Sequence, residues 1–248
     1  MMKEKPIIFS TEMVKAILAD RKTKTRRLNG LKEINENPDQ WDLQSFEVNP
    51  ELMAWDKNGD CYPRVKKGLI ATFENNELGE VYRNIKCPWE VGDVLWVRET
   101  WAIHDLILKP KKLNPNDEAW FYKRKFSPEM VPHVVYAADY PVGSWKGAWR
   151  SPRFMPKVAA RLFLKVKDIR VERLQGITEE DARAEGITYE TAMECSNWGP
   201  SFYDPDSGGN PDYIEAFKIL WDSINFKRGY GWDLNPFVWI VEFERVEK

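Results

Sequence analysis

Apolar and polar positions alternate along this chain in short runs, which predict strands separated by polar segments and a few short helices. Alternation predicts strands over 160–167 and 237–246. We also expect strands over the apolar run 6–9, over 133–138 and over 94–101, which is apolar on both faces. Helical spacing of apolar residues predicts helices that begin near Ser10, Thr178 and Asn210. Strands that lie far apart in sequence favour the α+β class. We therefore expect a mixed β-barrel, closed or nearly closed, with peripheral helices.

Three polar segments interrupt this pattern and predict long loop insertions. They span about 31–87, 105–132 and 187–210, and the first is rich in Asn, Asp and Gly. Within the first segment we expect a hairpin across 69–73 and 81–85. A chain of 248 residues suffices for one large domain or two small ones. We expect a single domain over 1–248 that carries the three insertions.

The charge balance excludes a protein that binds nucleic acid through an overall positive field. Lys and Arg number 37 against 39 Asp and Glu, so the formal net charge is −2. Any nucleic-acid binding must therefore come from a local patch. The twelve Trp residues are unusual, because an indole either packs in a core or stacks on a flat ligand. The pattern predicts that Trp96, Trp221 and Trp239 are core residues.

Hydropathy and cysteine usage favour a cytoplasmic protein, in a bacterial host cell if a phage encodes the chain. The mean hydropathy is −0.57, and no run approaches the roughly 20 apolar residues of a membrane span. The first residues do not form the apolar core of a signal peptide. Three widely spaced cysteines do not form a secreted disulfide framework.

A zinc site is a weak alternative for the cysteine and histidine residues. It would require convergence of Cys61, Cys87, Cys195, His104 and His133. The chain has no C-x-x-C pair, and its two His are not closely spaced. We expect ordinary buried or surface thiols, no metal and no cofactor.

The densest candidate for chemistry is the basic run at 21–27, which holds five cations in seven residues. A solvated helix end explains such a run equally well, since cations complement the helix macrodipole. On a helical turn, however, Lys22 and Thr25 would share a face. Neighbouring cations would disfavour the charged form of Lys22, and a neutral amine can activate a hydroxyl nucleophile.

Several segments of the chain together resemble the ASCH domain, and more closely the long phage- and prophage-encoded members of that superfamily. The matching segments are Ile17-Leu18-Ala19-Asp20-Arg21-Lys22-Thr23-Lys24-Thr25-Arg26-Arg27, Pro88 with Gly92-Asp93-Val94-Leu95-Trp96-Val97-Arg98-Glu99-Thr100-Trp101, Met155-Pro156, Ala160-Arg161, Arg170-Val171-Glu172-Arg173-Leu174 and Asn235-Pro236-Phe237-Val238-Trp239. Their order and spacing carry the resemblance. The three insertions do not match the family pattern.

The resemblance implies a β-barrel akin to the PUA fold, which is associated with RNA and modified nucleosides. In small ASCH proteins a Lys, a Thr three residues later and a downstream Glu hydrolyse the amide of N4-acetylcytidine. Carried over to this chain, the set is Lys22, Thr25 and Glu99. The family usually has Gly before the basic run, where this chain has Asp20.

Further cationic and aromatic residues are candidates for holding a substrate or nucleic acid. They are Arg26, Arg27, Arg98, Trp101, Trp149, Arg153 and Arg161. Trp145 and Arg150 lie in the same basic-aromatic loop as Trp149. These candidates also have structural interpretations. The residues of the basic-aromatic loop can form an ordinary turn, and Thr25 can be a hydrogen-bonding residue. Glu99 can form a structural ion pair with Arg98, Arg26 or Arg161.

Two functions from different classes are consistent with these residues. The first is an amidohydrolase acting on an N-acylated pyrimidine nucleoside or base, with Thr25 as nucleophile, Lys22 as its activator and Glu99 as acid/base. The alternative is a non-catalytic phage protein that binds RNA or modified nucleic acid. A phage factor that binds another protein is a third interpretation, without a motif of its own. The sequence does not give the oligomeric state.

Overall fold

The computed structural model describes residues 3–55, 61–65, 67–79, 81–104, 133–195 and 211–247. The predicted insertion at 105–132 lies outside the described residues, as does the 196–210 part of the insertion at 187–210. The chain forms two compact units. The first contains Met1–Asp20, Val94–Lys165 and Arg245–Lys248, and the second contains Arg21–Asp93 and Val166–Glu244. The single-domain prediction stays a prediction.

The described residues contain helices and strands of the α+β class. The strands are β1 Glu4–Ile8, β2 Lys24–Arg27, β3 Trp41–Val48, β4 Glu51–Trp55, β5 Cys61–Val65, β6 Leu69–Asn75, β7 Tyr82–Lys86, β8 Val94–Arg98, β9 Trp101–Ile103, β10 Val134–Tyr136, β11 Phe163–Arg173 and β12 Phe237–Val246. The helices are α1 Thr11–Leu18, α2 Glu179–Ala184, α3 Tyr189–Cys195 and α4 Tyr213–Asn225. The predicted class is confirmed. Strand pairing within the described ranges closes no barrel.

Strand β8 is the centre of the sheet in the first unit. It pairs with β1 in parallel and with the first residues of β11 in antiparallel orientation. Leu95, Trp96 and Val97 are all buried, which confirms the predicted strand with two apolar faces. Beyond it, β9 and β10 form an antiparallel pair in which Trp101 lies opposite Tyr136.

Helix α1 of the first unit begins where the sequence indicates. The side chain of Ser10 accepts a hydrogen bond from the backbone N–H of Met13 at 3.4 Å. The helix is followed by Asp20, which has a left-handed φ of 54°. Glycine adopts this conformation without a steric penalty, which explains why glycine suits the position before the basic run.

The second unit contains most of the strands that the sequence did not reveal. Strands β3, β6 and β7 form an antiparallel sheet, and β4 pairs with β5. The β6–β7 pairing confirms the predicted hairpin. The segment 31–87, predicted to be loop-rich, contains five strands in its described residues. Polar positions hid β3, of whose residues only Trp41 is buried.

The helices of the second unit pack on β12 around a core of apolar residues. Thr178 caps α2 by accepting from the Asp181 N–H at 3.2 Å, and Asp212 caps α4 by accepting from the Glu215 N–H at 2.8 Å. The core residues are Leu174, Ile177, Ala182, Ile187, Ala192, Tyr213, Ala216, Phe217, Trp221, Val238 and Ile240. The predicted core residues Trp96, Trp221 and Trp239 are all buried.

Candidate functional site

The basic run continues into strand β2, and the alternation of that strand decides which cations share a face. Thr25 lies opposite Val241 in the antiparallel pairing of β2 with β12. Side chains alternate along a strand, so Lys24 and Arg26 lie on one face and Thr25 on the other. Lys24 and Arg26 both contact Asp181, as expected for side chains on the same face.

Lys22, just before this strand, is buried against an acid. Its Nζ donates to Glu185 Oε2 at 2.5 Å and to the Glu185 backbone carbonyl at 2.8 Å. Lys22 is 2% exposed and Glu185 4%. Burial lowers the pKa of the Lys22 amine below its ordinary value, and the interaction with Glu185 opposes that shift. The amine is thus withdrawn from water, and the carboxylate of Glu185 compensates its charge.

A second acid joins this pair into what we call the ionic cluster: Lys22, Lys24, Arg26, Asp181 and Glu185. Arg26 donates to Asp181 Oδ2 at 2.6 Å and to Glu185 Oε1 at 3.3 Å, and Lys24 donates to Asp181 Oδ1 at 2.8 Å. Burial alone would raise the pKa of Asp181, but the hydrogen bonds and charges of Lys24 and Arg26 lower it. Three cations are held by two carboxylates four residues apart on α2 and its C-cap.

Thr25 and Arg27, also in the basic run, have different environments. Thr25 is 2% exposed, on the face of β2 opposite to Lys24 and Arg26. Burial lowers the pKa of Arg27 to about 10, with Glu185 opposing and Arg228 adding to this shift. The structure therefore gathers Lys22 and Arg26 around Glu185, whereas Thr25 projects from the other face of the strand.

In the first unit, Glu99 is buried beneath an arginine. Arg161 Nε and Nη2 donate to the two oxygens of Glu99 at 2.9 and 3.0 Å. The remaining Nη1 donates to both oxygens of the exposed Asp139, at 2.9 and 2.7 Å. Burial raises the pKa of Glu99, although Arg161 opposes the shift. Of the alternatives for Glu99, the structure shows the pair with Arg161.

This arginine also stacks on an aromatic ring. Its guanidinium carbon lies 4.0 Å from the centroid of the Tyr136 ring, and the Tyr136 hydroxyl donates to the Ala159 carbonyl at 2.8 Å. Burial disfavours the charged form of Arg161, but the effect of the Glu99 and Asp139 carboxylates is larger and raises the pKa of Arg161. With its side chain 25% exposed, Arg161 reaches from a buried acid to the surface of the first unit.

Trp101 and Arg98, both predicted to contact a ligand, lie against residues of their own unit. Trp101 is 1% exposed and packs with Met155 in a small core. The guanidinium of Arg150 lies 5.1 Å from its ring centroid, and the two residues exchange backbone hydrogen bonds. Arg98 lies 4.7 Å over the ring of Trp96. Trp101 is therefore a core residue and not an open stacking surface.

Four aromatic rings of the first unit form what we call the aromatic cluster: His104, Tyr140, Trp145 and Trp149. The centroid distances are 5.3 Å for Trp145 to Trp149, 5.3 Å for Tyr140 to Trp145, 5.9 Å for Tyr140 to Trp149 and 5.7 Å for His104 to Trp145. All four residues are partly exposed. Trp145 and Trp149 belong to the predicted basic-aromatic loop, whereas His104 and Tyr140 were not among the predicted binding residues.

A glycine lies against this cluster, and an exposed arginine belongs to the same unit. A Cβ on Gly147 would lie 2.8 Å from the Trp145 indole nitrogen, so the absence of a side chain lets the loop lie against the ring. Arg153, predicted to bind substrate, is exposed on a short helical turn that Ser151 caps. The cluster thus presents flat rings in the unit that also carries an exposed cation.

Sequence reasoning missed Asp181 and Glu185, although a signal for them exists. Cations at every second position from Lys22 to Arg26 require acids on one side of the strand. The helix that begins after Thr178 presents two acids with i,i+4 spacing. Neither pattern shows that the two segments meet, because Lys22 and Glu185 are 163 residues apart.

No family model, no curated protein and no solved structure matches this chain. Within the described ranges, His, Cys, Asp and Glu side chains form no group of three or more that could hold a metal ion. Cys87 is a buried thiol, and Cys195 is a partly exposed thiol. None of the described helices has the length and apolar character needed to cross a membrane.

Proposed function

We propose that this protein binds single-stranded RNA or modified nucleic acid by stacking unpaired bases on the aromatic cluster of its first unit. The observation that carries the proposal is a set of four partly exposed aromatic residues, each with its ring centroid 5.3–5.9 Å from that of at least one other. Stacking on aromatic rings contributes about 1–3 kcal/mol per base and tolerates any sequence. A PUA-like fold is part of the same proposal and rests on the ASCH resemblance.

Charges in the same unit suit this function. Arg153 is exposed and supplies a cation for the phosphate backbone. Arg161 is fixed by Glu99 and Asp139, so its guanidinium keeps one orientation above Tyr136. Fixed donors and rigid rings bind with little loss of conformational entropy. The net charge of −2 is consistent with RNA binding through local contacts and not through an overall positive field.

The test is a fluorescence titration of the full chain with unstructured RNA of about 12 nucleotides, a length within the site sizes of single-strand binders. Trp149→Leu should weaken binding about 5- to 150-fold, which corresponds to the loss of one stacked base. Arg153→Gln should reduce the slope of log affinity against log salt by about 0.7.

The matched control for the aromatic substitution is Phe226→Leu. Phe226 is 69% exposed and belongs to the second unit, so its loss should leave RNA affinity unchanged. The proposal is wrong if the wild-type chain does not bind the RNA, or if Trp149→Leu and Phe226→Leu have equal effects.

A second candidate function is hydrolysis of an N-acylated pyrimidine nucleoside, and the environment of Lys22 favours it. The amine is buried, its pKa is lowered and it contacts Glu185 at 2.5 Å. An amine of this kind can accept the proton of a hydroxyl nucleophile. We rank this function second because Thr25 projects from the face of β2 opposite to Arg26, which shares Glu185 with Lys22.

In this mechanism the Thr25 hydroxyl attacks the amide carbonyl, the exocyclic amine leaves with a proton, and water hydrolyses the resulting ester to release acetate. Glu185 takes the acid/base role in this mechanism, because it hydrogen-bonds the Lys22 amine. The assay incubates the full chain with N4-acetylcytidine and measures cytidine by chromatography. Thr25→Val should abolish turnover, whereas Thr25→Ser should retain it. Absence of turnover by the wild-type chain, or full activity of Thr25→Val, would exclude the mechanism.

A further inference from the structure

The second unit contains an open groove at the junction of its short helices. The groove encloses about 640 Å³, and its lining residues come from the start of the basic run, from α2, from the turn into α3 and from the start of α4. They are Arg21, Arg183, Ile187, Thr188, Tyr189, Glu190 and Tyr213. The volume lies within the range of small-molecule sites in proteins, about 300–1,000 Å³.

Two guanidinium groups line this groove at positions fixed by their neighbours. Arg21 Nη1 donates to the carbonyl of Gly186 at 3.3 Å. The guanidinium carbon of Arg183 lies 4.1 Å from the centroid of the Tyr213 ring, and its Nη2 lies 3.9 Å from Glu179. Each arginine keeps further N–H donors, because a guanidinium has five. Paired guanidinium groups match the oxygens of a phosphate ester better than ammonium groups do.

The groove also offers a flat surface and an acceptor. Tyr189 is 49% exposed, so one lining ring is open to a planar ligand. Glu190 is an exposed lining residue, and hydrogen bonds from its own backbone and from Thr188 lower the pKa of its carboxyl. An ionised carboxylate accepts hydrogen bonds from sugar hydroxyls. The lining therefore combines two cations, one anion and an open aromatic ring.

We infer that this groove binds a nucleoside monophosphate or the phosphorylated end of a nucleic-acid strand. Arg21 and Arg183 hold the phosphate, Tyr189 stacks on the base and Glu190 accepts from the sugar hydroxyls. A lone phosphate would use only the arginines, and a nucleoside would use only the ring and the carboxylate. The inference does not rest on the function proposed above, because the residues differ and belong to the other unit.

The experiment measures binding of cytidine 5′-monophosphate, cytidine and inorganic phosphate to the full chain by isothermal titration calorimetry. The nucleotide should bind at least tenfold more tightly than either fragment. Arg21→Gln and Arg183→Gln should each weaken its binding about 10- to 100-fold, as expected for a charge-assisted contact. Both arginines are exposed, so these variants should fold normally.

Two controls make the outcome decisive. Lys227→Gln removes an exposed cation of the second unit that does not line the groove, and it should leave nucleotide binding unchanged. Tyr189→Ala should weaken binding of the nucleotide but not of inorganic phosphate. The inference is overturned if the wild-type chain does not bind the nucleotide, if Arg21→Gln binds it as tightly as the wild type, or if inorganic phosphate binds equally well.

Discussion

Replacing Glu185 by glutamine tests the energetic role of the buried ionic cluster. The amide keeps the shape of the carboxylate but removes the charge that compensates Lys22. The side chain of Lys22 is 0% exposed and that of Glu185 is 3% exposed, so solvent screens neither group. Arg26 keeps its 2.6 Å contact with Asp181, whereas Lys22 loses the carboxylate that its Nζ contacts at 2.5 Å.

Breaking a buried ion pair by removing one partner costs about 3–5 kcal/mol. For a chain of this size 1 kcal/mol corresponds to about 2–4 °C, so Glu185→Gln should lower Tm by about 6–20 °C. Glu185 raises the pKa of the buried Lys22 amine, so its removal lowers that pKa further, and the variant gains more stability than the wild type as pH rises toward the ordinary value of 10.5. The deficit should therefore be largest near neutral pH and should shrink as pH rises.

The assay is thermal unfolding followed by circular dichroism, with two control variants. Glu244→Gln breaks the exposed pair with Lys167, which spans 3.2 Å, and should cost at most about 1 kcal/mol. The double variant Lys22→Met/Glu185→Gln removes both charges and should recover much of the lost stability. A Tm for Glu185→Gln within about 2 °C of the wild type would refute the reasoning, and so would a double variant no more stable than the single one.

Three further substitutions test local features. Asp20→Gly should raise the free energy of unfolding, measured by urea titration, by about 0.5–1 kcal/mol, because a φ of 54° suits glycine. A loss of stability would contradict this expectation. The pKa of Asp181 is lowered on folding, so its contribution is present above the ordinary value of 3.8 and is lost as pH falls through the folded pKa. Asp181→Asn should therefore flatten the acid limb of Tm against pH, and an unchanged limb would argue against that linkage. Gly147→Ala should cost about 1–3 kcal/mol by differential scanning calorimetry, because its Cβ would lie 2.8 Å from Trp145; an unchanged Tm would show that the ring moves freely.

Features set by neighbouring residues were predictable from the sequence. The caps at Ser10 and Thr178, the strand at Phe237–Val246 and the buried Trp239 depend on hydrogen bonds or periodicity within a short window. The strands between 31 and 87 were not predictable in this way. Many of their side chains are polar and partly exposed, and their stability comes from pairing with other strands.

The sequence by itself determined the α+β class, the position of the dense basic run and the number of aromatic side chains. Only the tertiary structure decided which charges meet. It placed Glu185 on Lys22 across 163 residues, and Arg161 on Glu99 across 62. The physical reason is that a buried charge requires an opposite charge, but that requirement does not specify which acid or arginine the fold will bring to it.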